Sequence, residues 1–400
     1  MKRATVIIGA NFGDEGKGLL TDFHAAQIGG DGLVVRFNGG AQAGHTVITP
    51  EGRRHVFSHV GAGTLAGVPT YLSRFFVVNP LLFFKELPEI APAKPRVYVD
   101  RDCPLTTPYD MMINQMIETA RGGDRHGSCG IGFGETIERN LSAAFRLTVA
   151  DLERPDLVAR LDAIGRDYVP QRLRKLGIAP PAQPIVPEAI LADFVASGRA
   201  FIDAVVLADC TIIRHKKQVV FEGAQGLLLD EEHRWFPHVT RSKTGLKNVI
   251  ALAQTTNIDA LDVTYVTRAY MTRHGAGPFP SEVRGLAYPG ITDATNLPNP
   301  FQGALRFGWL DLDLLQETVA IDLAVGFASG LALSHRIAVT CLDQLSATAT
   351  FMSEGQQRYG GAEALVQAAL ASVAASEGFV STGPTRQAVT RIRREAQLAA

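Results

Sequence analysis

A glycine-rich run carrying two acids and a lysine, Gly13-Asp14-Glu15-Gly16-Lys17-Gly18, follows the apolar run Thr5-Val6-Ile7-Ile8 and precedes the helix-compatible Leu19-Leu20-Thr21-Asp22-Phe23. Strand, glycine loop with lysine, then helix is the setting in which backbone N–H groups and a helix N-terminus face a phosphate and the lysine adds a point charge. The run departs from the usual phosphate loop at one place: Gly18 stands where a Ser or Thr hydroxyl would hold magnesium. Asp14 and Glu15 sit beside the expected phosphates instead. That placement is unfavourable unless a divalent cation or a proton transfer requires it. A second glycine-rich segment, Asn38-Gly39-Gly40-Ala41-Gln42-Ala43-Gly44-His45-Thr46, follows the apolar run Leu33-Val34-Val35-Arg36-Phe37. Its glycines let backbone approach a ligand closely, and His45 at its end is the candidate proton-transfer group.

Such groups need a scaffold. Short β-branched runs recur at Thr5-Val6-Ile7-Ile8, Leu33-Val34-Val35-Arg36-Phe37, Arg96-Val97-Tyr98-Val99, Gln218-Val219-Val220-Phe221, Val263-Thr264-Tyr265-Val266 and Arg336-Ile337-Ala338-Val339-Thr340. Near-continuous apolar runs of this kind mark parallel strands covered on both faces. Helix-compatible stretches such as 109–120 and 362–375 lie between them. The expected fold is α/β, a mostly parallel central sheet flanked by helices with a P-loop-like glycine loop after the first strand. Ligands of such sheets sit beyond the carboxyl ends of the strands. The proline-rich segment 178–187 reads as an external connection, and residues 1–400 read as one domain.

Composition excludes several classes. The 400 residues are 46% hydrophobic and 20% charged with net charge −1, which is globular and offers no basic bias toward nucleic acid. Cys103, Cys129, Cys210 and Cys341 are scattered, as suits a reducing compartment rather than a disulfide framework or zinc knuckle. The N-terminal apolar run is too short for a signal peptide and no apolar stretch spans a membrane, so the expected location is cytoplasmic. His55, His59 and His335 read as ordinary histidines, Trp235 and Trp309 as packing residues, and Arg391, Arg393 and Arg394 as a solvated helix face.

The two glycine segments, taken with further matches, resemble the adenylosuccinate synthetase family, which carries GDEGKG and GGxNAGHT elements. Phe221-Glu222-Gly223-Ala224-Gln225-Gly226, the Thr272–Glu282 stretch (the family's TR.GAGPFPTE), Gly308-Trp309-Leu310-Asp311 and Ser381-Thr382-Gly383-Pro384-Thr385-Arg386 extend the resemblance over nearly the whole chain. It implies a purine nucleotide C6 ligase joining IMP, L-aspartate and GTP into adenylosuccinate, GDP and phosphate. Asp14 would take the purine N1 proton, His45 would serve the transferring phosphoryl oxygen, and Lys17 would offset its charge. Mg2+ would be held by the Asp14 carboxylate and the Gly44 carbonyl. The donor nucleotide would contact Gly13, Asp14, Glu15, Gly16, Lys17, Gly18, Gly44, Thr46, Asp343, Ser381, Thr382 and Gly383. Gln42, Ser128, Cys129, Gln225 and Thr240 would hold the purine monophosphate, and Gln302 and Arg306 the amino acid. A homodimer is implied, in which an arginine reaches the partner's monophosphate; Arg139 and Arg146 are the candidates.

The chain departs from the family pattern in its specificity segments. Ser128-Cys129 replaces a threonine pair, Cys341 replaces the lysine of TKLD, and Asn299–Phe307 lacks the threonines and two of three arginines of the amino-acid loop. The catalytic pair Asp14 and His45 is retained. A paralogue of changed specificity is therefore the alternative: a (d)GMP-using 2-aminoadenylosuccinate synthase with ATP or GTP as donor, or a ligase using another amine. In the phage-type relatives the aspartate at position 14 is replaced. A nucleotide-binding switch that makes no bond is the reading from a different class, and the retained acid-base pair speaks against it.

Overall fold

The ten strands of the main sheet are β1 (Arg3–Gly9), β2 (Leu33–Arg36), β3 (Thr70–Leu72), β4 (Val97–Val99), β5 (Val206–Leu207), β6 (Val219–Gly226), β7 (Ala260–Arg268), β8 (Ala332–Thr340), β9 (Glu377–Ser381) and β10 (Val389–Arg393). The structure is a computed structural model that describes residues 1–296 and 303–395. The spatial order is β10-β9-β8-β7-β1-β6-β2-β3-β4-β5. Every neighbouring pair is parallel except β9–β10. All six β-branched runs fall on strands of this sheet, and the expected parallel α/β architecture holds.

The reason is visible in burial. Val6, Ile7 and Ile8 of β1 and Leu33, Val34 and Val35 of β2 are fully enclosed, because helices cover both faces and no alternation of polar residues is needed. Helix Pro108–Arg121 starts on a reciprocal capping box, in which the Thr107 and Asp110 side chains bond each other's backbone N–H. Residues 178–187 form the irregular connection expected of them, ahead of helix Glu188–Ala204.

Two features were not foreseen. A second sheet pairs Tyr270–Arg273 with Arg306–Asp311, and Ala349–Ser353 with Gln356–Gly360. The C-terminal arginines lie at the end of β10 rather than on a helix, with Arg391 bonded to Glu377 across the β9–β10 pair.

Candidate active site

The loops that leave the carboxyl ends of β1, β2, β6, β7, β8 and β9 converge on one cleft of about 820 Å3, as the rule for open parallel sheets requires. The β1 loop enters helix Lys17–Ile28 through Gly16 at φ 99°, and no side chain among the described residues caps that N-terminus. Its free N–H groups are therefore open to an anion. A Cβ on Gly18 would lie 2.9 Å from the Thr46 carbonyl oxygen and 3.0 Å from the His45 Cβ. The missing hydroxyl after Lys17 thus has a steric cause: the helix start packs directly on the strand His45–Ile48, bringing Lys17 and His45 to one side of the cleft.

The two acids of the loop do different work. Asp14, in the left-handed region at φ 61°, lines the cleft. Glu15 does not; it is buried beneath the loop, accepting the N–H groups of Asn11 and Gly13 and pairing with Lys17 Nζ at 2.5 Å. The expectation that Glu15 contacts the donor nucleotide is corrected accordingly, since both its oxygens are spent as an internal brace. A Cβ on Gly9 would fall 2.4 Å from that carboxylate, which is why a glycine ends β1.

Asp14 Oδ2 lies 3.1 Å from His274 Nε2. Burial pushes the Asp14 carboxyl up, but the His274 hydrogen bond and charge, with Arg268 and Lys17, outweigh it and hold it at about 2. Burial lowers the His274 imidazole, and Asp14, with Asn296 and Asp293, more than reverses this, so the pair favours ionisation on both sides. Arg268 Nε donates to the Asp14 carbonyl at 2.5 Å.

His45 is buried, and its Nδ1 lies 2.6 Å from Oε1 of the fully buried Glu222 on β6. Glu222 also accepts the Ala62 N–H at 3.0 Å, so the carboxylate is fixed and sets the ring's orientation. Burial lowers the His45 imidazole against the opposing pull of Glu222. His45, Lys17 and Asp14 thus line one cavity, with His45 presenting its Nε2 edge away from Glu222.

Further expected residues gather around them. Gln42, Gln225, Ser128, Cys129 and Thr240 all line the cleft. Both polar atoms of the Gln42 amide are buried without a hydrogen-bond partner among the described residues, an arrangement a ligand would complete. Gly44, Thr46 and Asp343 line it as well. Of the segment 381–383 only Gly383 does. Ser381 is buried and spends its hydroxyl on the Gly383 carbonyl at 2.6 Å, while Thr382 faces solvent, so neither is placed against a donor base.

Two expectations for anion-binding arginines are also corrected. Arg306 is engaged on every side, by both carboxylate oxygens of Glu282 and the carbonyls of Gly275 and Gly277, and it does not line the cleft. Arg139 is enclosed and paired with Asp110, so it cannot extend to a partner; the other candidate, Arg146, is exposed with only its Nε bonded among the described residues, to the Asn140 carbonyl, and is not overturned. Gln302 lies outside the described residues. Instead Arg54, Arg241, Arg268 and Arg273 line the cleft, none of which stood in the sequence-derived site. Arg273 belongs to the Thr272–Glu282 stretch, but its guanidinium 4.4 Å above the Phe12 ring is a tertiary fact.

A family model described as Adenylosuccinate synthetase matches residues 6–390. Adenylosuccinate synthetases of Xanthomonas oryzae pv. oryzae and Xanthomonas campestris pv. campestris are 34% identical over 338 residues, covering 80% of this chain and 75% of theirs. Among solved structures, the fully ligated adenylosuccinate synthetase of Plasmodium falciparum superposes with a TM-score of 0.72 at 18% identity, covering 96% of this chain and 99% of that one. The cyanophage S-2L succinoaminodeoxyadenylate synthetase, bound to dGMP and dATP as an energy donor, superposes with a TM-score of 0.62 at 15% identity, covering 99% and 96%.

Proposed function

The chain belongs to the adenylosuccinate synthetase family, and from that premise we propose that it joins IMP to L-aspartate with GTP as phosphoryl donor. It is a carbon–nitrogen ligase of purine biosynthesis. The observation that carries the specific reading is one cleft lined by the Asp14 carboxylate, Lys17, the Glu222-oriented His45 and the Gln42 amide, which has no partner among the described residues.

The chemistry follows from those groups. Asp14 accepts the proton from purine N1, which turns the 6-oxygen into a nucleophile toward the γ-phosphorus of the donor. The open N-terminus of helix Lys17–Ile28 and the Lys17 ammonium stabilise charge on the transferring phosphoryl group. Lys17 is held by Glu15, and a phosphate entering the cleft competes for it. His45, oriented by Glu222, serves a phosphoryl oxygen. The phosphorylated 6-oxygen is then a good leaving group for the amine, departing as inorganic phosphate as the C–N bond forms.

Hard oxygen donors at Asp14 and Gly44, both lining the cleft, fit Mg2+, which takes one or two carboxylates plus substrate phosphates rather than an all-protein cage. These two residues would hold it, and when bound it would neutralise charge on the phosphates.

Asp343 supports GTP as donor. An exposed carboxylate at the cleft edge accepts from guanine N1–H and the 2-amino group, whereas adenine presents an acceptor at N1. Arg54 gives the cleft a cation for a dicarboxylate amine. The sheet that runs from Arg3 to Arg393 supports treating residues 1–400 as one domain. A cytoplasmic homodimer is carried from the family resemblance; four free cysteines agree with the compartment, and no helix among the described residues is long and apolar enough to cross a membrane.

A substrate panel tests the reading: IMP or dGMP, with GTP or ATP, with and without aspartate, following nucleoside diphosphate release. Turnover is expected with IMP, GTP and aspartate together. Turnover with dGMP alone among the acceptors would assign the chain to the 2-aminoadenylosuccinate branch instead, and turnover independent of aspartate would remove that amine.

A further inference from the structure

A closed ring of hydrogen bonds runs through residue 14. Asp14 Oδ2 meets His274 Nε2 at 3.1 Å, and the same nitrogen lies 3.1 Å from Asn296 Oδ1. Asn296 donates through both its backbone N–H and its side-chain amide to Asp293, at 2.9 and 2.8 Å. Asp293 pairs with Arg268 at 3.2 Å, and Arg268 returns to the Asp14 carbonyl. His274 stands at the position that the family's TR.GAGPFPTE stretch leaves open, so the motif does not account for it.

The ring holds residue 14 from both ends. A left-handed aspartate is disfavoured relative to the ordinary helical region, and the Arg268 bond to its carbonyl fixes that backbone. His274 then fixes the side chain by taking one carboxylate oxygen and leaving the other toward the cleft. A base that must meet a purine N–H at hydrogen-bond distance gains from being held there before the substrate arrives.

We propose that His274 is a positioning residue for the Asp14 carboxylate, itself held by Asn296 through Asp293 and Arg268. The proposal rests on the reading of Asp14 as the base, and the control below separates the two. His274 acts through Asp14, so its loss is read in turnover rather than in nucleotide affinity.

The experiment is steady-state kinetics on the full chain with IMP, GTP and aspartate for His274→Ala, His274→Gln and Asn296→Ala, beside Asp14→Asn. Loss of a supporting hydrogen bond of this kind typically costs 10- to 100-fold, so kcat of His274→Ala is expected to fall by about that much with both nucleotide KM values within about threefold. His274→Gln retains a donor and is expected to recover most of the loss; Asn296→Ala is expected to fall in the same direction by less. A kcat within about twofold of the parent for His274→Ala overturns the proposal. So does a loss in nucleotide binding that parallels kcat, or a glutamine variant no better than alanine. Thermal melting reports folding; should the alanine variant not fold, Asn296→Ala decides, a loss confined to kcat supporting the proposal and an unchanged kcat overturning it. An active Asp14→Asn sinks the base assignment itself, whatever the histidine variants do.

Discussion

Asp14→Asn is expected to lower turnover by roughly 100- to 10,000-fold, the range for losing a positioned acid-base group, with nucleotide dissociation constants measured without Mg2+ within about threefold of the parent. The substitution is close to isosteric, and asparagine is among the residues that best tolerate the left-handed region that Asp14 occupies at φ 61°. The Arg268 bond reaches the backbone carbonyl and survives the change. Asparagine still offers His274 an oxygen. What disappears is the charge and the ability to take a proton, so the loss is chemical. Kinetics together with equilibrium binding of a fluorescent GTP analogue check it, and a variant retaining more than a tenth of parental kcat would remove Asp14 from the base role.

The second large effect is at His45. His45→Ala is expected to lower kcat by about 100-fold or more, and it should also weaken the fold. Glu222 is fully buried, and its carboxylate is kept ionised against its burial by His45 and Arg36. Removing a hydrogen-bond donor from a buried charge typically costs about 1.5–3 kcal/mol; here Arg36 and the Ala62 N–H retain part of the compensation, so the lower end applies. Urea melts of the variant, compared with the parent, measure this directly. Full turnover in His45→Ala, with or without a stability change, would show that the imidazole serves packing alone.

The strands and the phosphate-facing loop were legible because their physics is local. Ile7 and Val35 sit in runs that only a doubly covered strand explains, and the glycines around Lys17 and His45 stand where backbone must approach backbone or ligand. The rest depends on tertiary placement. Adjacent acids in one loop look alike in sequence, yet the left-handed turn at residue 14 sends Asp14 into the cleft and Glu15 under it. Arg306 is a plausible anion ligand by its neighbours along the chain, but its strand pairing delivers it to Glu282. His274 meets Asp14 from 260 positions away in sequence, and no spacing rule reaches that far. The strand β10 was misread because Arg391-Ile392-Arg393 is a short polar alternation at a sheet edge, where one neighbour and solvent leave little apolar signal. Tyr270–Arg273 and the strands beside it are equally short.

In the proposed reaction the purine 6-oxygen leaves as part of inorganic phosphate after the γ-phosphoryl group has been placed upon it at Asp14, Lys17 and His45. Supplying the monophosphate with a heavy-oxygen isotope at that position, and analysing the released phosphate by mass spectrometry, tests it most directly. The expected result is one labelled oxygen in the phosphate for each C–N bond formed. Unlabelled phosphate, with the isotope released to water, would contradict phosphoryl transfer to the base and with it the roles assigned to all three residues.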